Sequence, residues 1–251
     1  MRLLAAADYQ EMSRMAGEFL KDQLKTNSRS VLGLATGGTV KGVYSELVKL
    51  YSEGQLSFSH AASFNLDEYY GMEKNDVNSY FRYMKEHLFH HVDFLPGSNH
   101  LPDGMAADPI HECSRYEEMI EKAGGVDLQL LGIGENGHIG FNEPGTSFQE
   151  RTHLVTLTDS TKKANARYFK SLEDVPGQAI TMGIGTIMKS RSILLLASGA
   201  KKAEAIERLW NGEVTEDFPA SVLKRHPNVT VIADEEALML IDRKGKEELT
   251  R

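Results

Sequence analysis

Short runs rich in leucine, isoleucine, valine and alanine recur along this chain, separated for the most part by longer stretches with amphipathic, helical spacing. The runs predict strands at residues 30–35, 61–66, 127–132, 153–157, 179–183, 192–197 and 229–233. Helical patterns such as residues 40–51 and 201–210 each follow a glycine-containing turn. Strand, glycine turn and amphipathic helix in repeated order predict βαβ units, hence an α/β fold with a mostly parallel sheet. In such sheets ligands bind beyond the carboxyl ends of the strands, so functional side chains are sought just after each apolar run.

With 251 residues the chain can bury a full core but is short for two roomy domains. No repeat, low-complexity tract or Pro/Ser-rich linker divides it, so one domain spanning residues 1–251 is expected. A net charge of -8 disfavours nucleic acid or an anionic membrane as a partner, because neither polyanion is drawn to such a surface. Cys113 is the single cysteine, which leaves no intramolecular disulfide and no cysteine metal cage. The simplest role for it is a small side chain on a helix. The apolar patch at residues 3–7 is too short for the core of a signal peptide, and no later run approaches the roughly 20 apolar residues of a membrane span. The expected location is cytoplasmic, and the first strand is expected near residue 30.

Three motifs follow apolar runs. In Leu34-Ala35-Thr36-Gly37-Gly38-Thr39-Val40, two glycines allow a turn whose N–H groups, with those of the following helix, could converge on a phosphate. A plain turn with Thr39 as helix N-cap is the alternative. Phe64-Asn65-Leu66-Asp67-Glu68-Tyr69-Tyr70-Gly71 delivers two adjacent acids to a strand end. Side chains alternate along a strand, so Asp67 or Glu68, but not both, could face one site as a general base, and solvated acids are the alternative. The third, Gly132-Ile133-Gly134-Glu135-Asn136-Gly137-His138-Ile139-Gly140-Phe141-Asn142-Glu143-Pro144-Gly145, can bend its polar groups toward one point. A histidine oriented by a carboxylate moves protons, and Asn136 and Glu143 both fall within reach of His138.

Basic residues occur further on, Arg167 in Ala164-Asn165-Ala166-Arg167-Tyr168-Phe169 and Lys202 in Ser198-Gly199-Ala200-Lys201-Lys202-Ala203. Each could complete a phosphate site or be an ordinary solvated charge. His87, His90 and His91 are spaced to share a helical face, but no acid or cysteine pattern accompanies them, and a helix C-terminus favours histidine without a metal.

Taken together these segments resemble the glucosamine-6-phosphate deaminases, from Leu34 to about Glu236. The resemblance rests on the ordered set ATGGT, FNLDEYYG, GIGENGHIGFNEPGTSF, ANARYF, TMGIGT and SGAKKA. It implies a Rossmann-like fold and conversion of glucosamine 6-phosphate and water to fructose 6-phosphate and ammonia, with no metal and no cofactor. Position by position it implies Asp67 as the base that moves the C2 proton and His138 as the ring-opening catalyst, assisted by Asn136 and Glu143. Gly38, Thr39, Arg167 and Lys202 correspond to the phosphate clamp. Two departures stand out: some members carry aspartate at the position of Asn136, and many carry proline at that of Val40.

A 6-phosphogluconolactonase shares this fold and a similar loop, but the resemblance to the deaminases at Asp67-Glu68-Tyr69-Tyr70-Gly71 favours deamination. A sugar-phosphate-sensing domain of a transcriptional regulator is disfavoured by the acidic charge and by room for only one helix before residue 30. Allosteric hexamers of the family bind an effector phosphate through basic residues at positions that match His153 and Val155 here, and through an extended C-terminus, whereas this sequence stops at Arg251. A monomer without allosteric regulation is expected.

Overall fold

The computed structural model describes residues 1–241, apart from the side chains of Ser160, Ala164 and Arg167. The C-terminal residues 242–251, set above against an effector site, lie outside the described residues. The chain runs β1 (Arg2–Ala6), α1 (Tyr9–Thr26), β2 (Val31–Leu34), α2 (Gly38–Ser52), β3 (Ala62–Asn65), β4 (Asp67–Tyr69), α3 (Tyr80–Met84), β5 (Asn99–His100) and α4 (Pro109–Lys122). It continues through β6 (Leu128–Gly132), β7 (His153–Thr156), α5 (Asp159–Asn165), β8 (Gln178–Thr181), α6 (Ile184–Ile187), β9 (Ser192–Ala197), α7 (Ala203–Asn211) and β10 (Val229–Asp234).

Among the described residues seven strands form one sheet in the order β1-β10-β9-β6-β2-β3-β5, with every neighbouring pair parallel. This is the Rossmann-like α/β architecture. The apolar runs become its interior because they are covered by helices: every residue of β9 and β10 is buried, and α1 packs on both α2 and β10. Asp8 caps α1 by accepting the N–H of Glu11 at 2.8 Å, and Asp108 followed by Pro109 starts α4.

β4 and β5 lie outside the predicted strands, and two further features depart from the sequence reading. The patch at the N-terminus is the edge strand β1, paired to β10 from Arg2↔Thr230 to Ala6↔Asp234, so the first strand precedes residue 30; α1 is still the single helix before β2. The predicted strands at 153–157 and 179–183 form outside the main sheet. As β7 and β8 they join β4 in a three-stranded antiparallel sheet, in the order β4-β8-β7.

The small sheet is fastened to the rest through Glu117 of α4. Its buried carboxylate accepts the N–H of Thr152 at 2.8 Å, the hydroxyls of Thr152 and Thr186, and the guanidinium of Arg151. These partners outweigh the burial, which alone would raise its pKa, and hold it below the usual glutamate value.

Successive strands run outward in opposite directions from the β2/β6 boundary, toward β3 and β5 on one side and toward β9 and β10 on the other. The segments leaving β2 and β6 therefore diverge to opposite sides of the sheet. A crevice opens between them at the carboxyl ends of the strands, at the topological switch point.

Candidate active site

The crevice is a cavity of about 320 Å³. One wall is residues 35–40 after β2, and another is Gly132, Ile133, Gly134 and His138 after β6. Asp67, Tyr69 and Tyr80 contribute from the β3–α3 side, Lys202 from the segment after β9, and Thr161, Asn165, Tyr168 and Phe169 from α5 and the turn after it.

The glycine turn works through Gly37. Its φ of 109° is open to glycine and strained for other residues, and it stands as the N-cap of α2 with no side-chain cap bond. Thr39 thus lies inside the first helical turn rather than at the cap, so the plain capping alternative is not what forms. The start of α2 presents first-turn N–H groups beside the cavity, where Gly38 and Thr39 are lining residues.

The two adjacent acids separate. Asp67 lines the cavity and is buried. Glu68 accepts the N–H groups of Tyr80 at 3.0 Å and Phe81 at 2.9 Å, at the start of α3, and of Tyr69 at 2.9 Å. Of the two acids, only Asp67 lines the cavity. Burial pushes the Asp67 carboxyl up to about 8, with a further upward contribution from the neighbouring Glu68 charge. The wall beside it is aromatic: Tyr69 packs on Tyr80, Phe141 and Phe169 at ring-centre distances of 4.8, 5.9 and 5.8 Å.

In the loop after β6 the histidine is oriented through an amide. Asn136 Nδ2 donates to Glu143 Oε2 at 2.7 Å, and Asn136 Oδ1 faces His138 Nδ1 at 2.7 Å. An ionised carboxylate only accepts, so the amide must turn its NH2 to Glu143 and its carbonyl to His138. His138 Nδ1 then carries the hydrogen, and Nε2 is left with its lone pair for proton transfer. Glu143 itself stands 3.8 Å from Nδ1 and supplies the negative charge that the amide lacks. Burial holds the His138 pKa below its ordinary value and Lys202 pushes it further down, while Glu143 and Glu135 oppose them.

The loop is held by bonds that cross the fold. Asn142 Nδ2 donates to the carbonyls of Ile139 at 2.8 Å and Met182 at 2.9 Å, and Phe141 N–H donates to Thr181 Oγ1 at 3.2 Å. Gly134 leaves room for the imidazole, since a Cβ there would overlap the His138 ring. The Thr161 hydroxyl donates to Glu143 Oε1, so α5 touches the His138 relay. Sequence reasoning missed Thr161; Thr158, whose side chain accepts the Thr161 N–H to cap α5, was the available signal.

Lys202 is brought to the cavity by a turn that Asp234 braces, accepting the Gly199 N–H at 3.0 Å. Arg167 lies between Ala166 and Tyr168 in a single 3-10 turn, beside the cavity-lining Asn165 and Tyr168, but its side chain is outside the described residues. Gly38, Thr39, Asp67, His138 and Lys202 are thus gathered at one cavity, with Asn136 and Glu143 behind His138. Of the separate histidines, His91 Nε2 contacts the Glu86 carbonyl at 2.8 Å and His87 lies edge-on to Tyr83. Cys113 is buried on α4, which pushes its thiol up to about 11.

A switch-point crevice that joins an uncapped helix start and a lysine to a buried carboxyl and a carboxylate-backed imidazole belongs to the Rossmann-like α/β enzymes. Residues 5–232 match the family described as glucosamine-6-phosphate isomerases/6-phosphogluconolactonase, and the chain belongs to it. It is 53% identical over 238 residues to the glucosamine-6-phosphate deaminase of Oceanobacillus iheyensis, covering 95% of each chain. It is 50% identical over 240 residues to glucosamine-6-phosphate deaminase 1 of Bacillus subtilis, covering 96% of this chain and 99% of that one. Among solved structures it is similar to a monomeric glucosamine-6-phosphate deaminase, with a TM-score of 0.94 and 50% identity over 96% of this chain and all of that one. The 6-phosphogluconolactonase of Trypanosoma brucei shares the fold at a TM-score of 0.75 and 19% identity, covering 96% of this chain and 98% of that one.

Proposed function

We propose that this protein is a glucosamine-6-phosphate deaminase acting in amino-sugar breakdown, working as a single domain. The observation that carries the reading is the buried Asp67 carboxyl, raised to about 8, in the same cavity as His138. Lactone hydrolysis has no step that needs a carbon base, whereas moving a hydrogen from C2 does. The identity of 53% to a curated deaminase supports the same conclusion.

In the proposed reaction the phosphate is held by the N–H groups of Gly38 and Thr39 with Lys202 and Arg167. Its binding energy, remote from the reacting carbons, holds the chain for proton transfer. His138 Nε2 takes the proton of the anomeric hydroxyl and delivers one to the ring oxygen, so the C1–ring-oxygen bond breaks and the aldehyde forms. Asn136 fixes the ring, and Glu143 stabilises the transient imidazolium. Asp67, ionised, takes the C2 proton to give an enolamine, and a proton returned at C1 converts this to an imine at C2. Water adds to that carbon, and loss of ammonia leaves fructose 6-phosphate. Atoms balance without any redox change.

Two finer points belong to the same reading. The protein works as a monomer, as the structural relative of the same name does. It lacks an effector response, because Val155 cannot bind phosphate and the nearby cation Arg151 is already engaged by Glu117 at 2.9 Å and by Glu121. No described helix is long and apolar enough to cross a membrane, and a cytoplasmic location is part of the proposal. Ammonia release from glucosamine 6-phosphate, measured beside hydrolysis of 6-phosphogluconolactone by the same preparation, tests the function. Hydrolysis of the lactone without ammonia release would overturn it.

A further inference from the structure

Tyrosine hydroxyls hold three carbonyls of the glycine turn. Tyr44 of α2 donates to Ala35, Tyr83 of α3 donates to Gly37 at 2.8 Å, and Tyr9 of α1 donates to Gly38 at 2.9 Å. In a planar trans peptide the C=O and the next residue's N–H point opposite ways, so fixing one fixes the other. The bond from Tyr83 thereby sets the direction of the Gly38 N–H, and the bond from Tyr9 that of the Thr39 N–H. Both residues line the cavity.

Tyr9 also accepts the N–H of Gly42 at 2.7 Å. Its hydroxyl thus bridges the carbonyl of residue 38 and the N–H of residue 42, the i and i+4 groups that pair in a regular α-helix. The approach depends on Gly42, where a Cβ would stand 2.9 Å from the Tyr9 oxygen and overlap Ser13. The first turn of α2 is therefore shaped by a side chain from another helix, and Tyr83 of α3 holds the preceding peptide. Neither tyrosine is needed merely to fill space with a hydroxyl, since phenylalanine would keep both rings.

We propose that Tyr9 and Tyr83 are positioning residues for an anion site at the start of α2: their hydroxyls hold the Gly38 and Gly37 carbonyls and so aim the Thr39 and Gly38 N–H groups at the substrate phosphate. The inference rests on the phosphate reading of this turn given above. It assigns no proton transfer to either tyrosine, so its signature is weaker anion binding with the chemical step preserved.

The test uses Tyr9→Phe, Tyr83→Phe and the double variant in the full chain, with inorganic phosphate as the probe. Calorimetry gives its dissociation constant, and steady-state ammonia release gives kcat and KM. Each single variant is expected to weaken phosphate binding and raise KM about threefold to tenfold, the range of one or two lost hydrogen bonds, with kcat within about twofold. If Tyr9→Phe fails to fold, as judged by circular dichroism, Tyr83→Phe decides. Unchanged phosphate affinity and KM in the folded variants would overturn the positioning role, as would a fall in kcat alone. Failure of the unaltered protein to bind phosphate would instead overturn the phosphate site itself.

Discussion

Asp67 and Glu68 are consecutive residues of β4 whose carboxyl groups do different work: Asp67 lines the cavity, while Glu68 accepts the Tyr80 and Phe81 N–H groups at the start of α3. A strand turns neighbouring side chains to opposite faces, so the pair cannot share one site. Substitutions at these two positions should therefore fail in different ways, through chemistry at Asp67 and through local folding at Glu68.

Asp67→Asn is expected to abolish ammonia release while substrate affinity stays within about tenfold, because the amide keeps the shape but cannot take the C2 proton. Exchange of the C2 hydrogen with solvent should vanish with it. The same change should stabilise the fold. The Asp67 pKa is about 8 in the folded chain against an ordinary 3.8, so the folded state holds the extra proton between these values. Stability is lost as pH rises through that window, by about 6 kcal/mol at most. The variant's gain in melting temperature should accordingly be near zero at pH 4 and largest at pH 8. More than a few per cent of residual kcat would remove Asp67 as the base.

The pH dependence of kcat/KM follows from two groups that must both be deprotonated. Asp67 has to be ionised, which puts the acid limb near pH 8 in the free enzyme. His138 has to be neutral, and its pKa lies below the ordinary 6.5. The rate should fall with one-proton slope below pH 8 and steepen toward two protons somewhere below pH 6.5. A flat profile between pH 6 and 8 would contradict the assignment of Asp67.

Lys202→Ala and Arg167→Ala should mainly raise KM, each removing a charge-assisted contact worth about 1.5–3 kcal/mol. Lys202 carries a second signature. Its charge depresses the His138 pKa, so removing it should move the lower inflection of the pH profile upward. An unchanged KM in both variants would rule out the proposed clamp.

Initial rates should be hyperbolic in substrate and indifferent to N-acetylglucosamine 6-phosphate at millimolar levels. His153 is spent on the Arg151 carbonyl at 2.9 Å, and Val155 packs beside the aromatic cluster around Tyr69. Without differential affinity for two states an effector shifts nothing. A sigmoidal curve straightened by that compound would overturn the expectation.

The most legible strands are those whose apolar runs are covered on both faces, such as β9 and β10, while β7 was legible from its own run despite partial exposure. β1 was missed because five residues at a chain end read equally as a stray apolar patch, and only its pairing with β10 makes it a strand. β4 was illegible because Asp67-Glu68-Tyr69 has no apolar run; its partner β8 is far along the chain. At the site, glycines, His138 and the acids advertise themselves by type. The roles of Glu68, Thr161, Tyr9 and Tyr83 do not, because each depends on a contact with a different element. The amide orientation of Asn136 likewise depends on Glu143 at its other end.

The pairing of β1 with β10 also constrains the order in which the chain can be assembled. Among the described residues β1 pairs only with β10, so Arg2–Ala6 cannot pair until Val229–Asp234 has been synthesised. At about 5–20 residues per second, the ribosome leaves β1 waiting roughly ten to forty seconds for β10. During that time β2 can already pair with β3 and then with β6, its neighbours on either side. Pairing of β1 with β10 is therefore a late event in biogenesis, and until then the backbone groups of β1 lack their partners in the sheet.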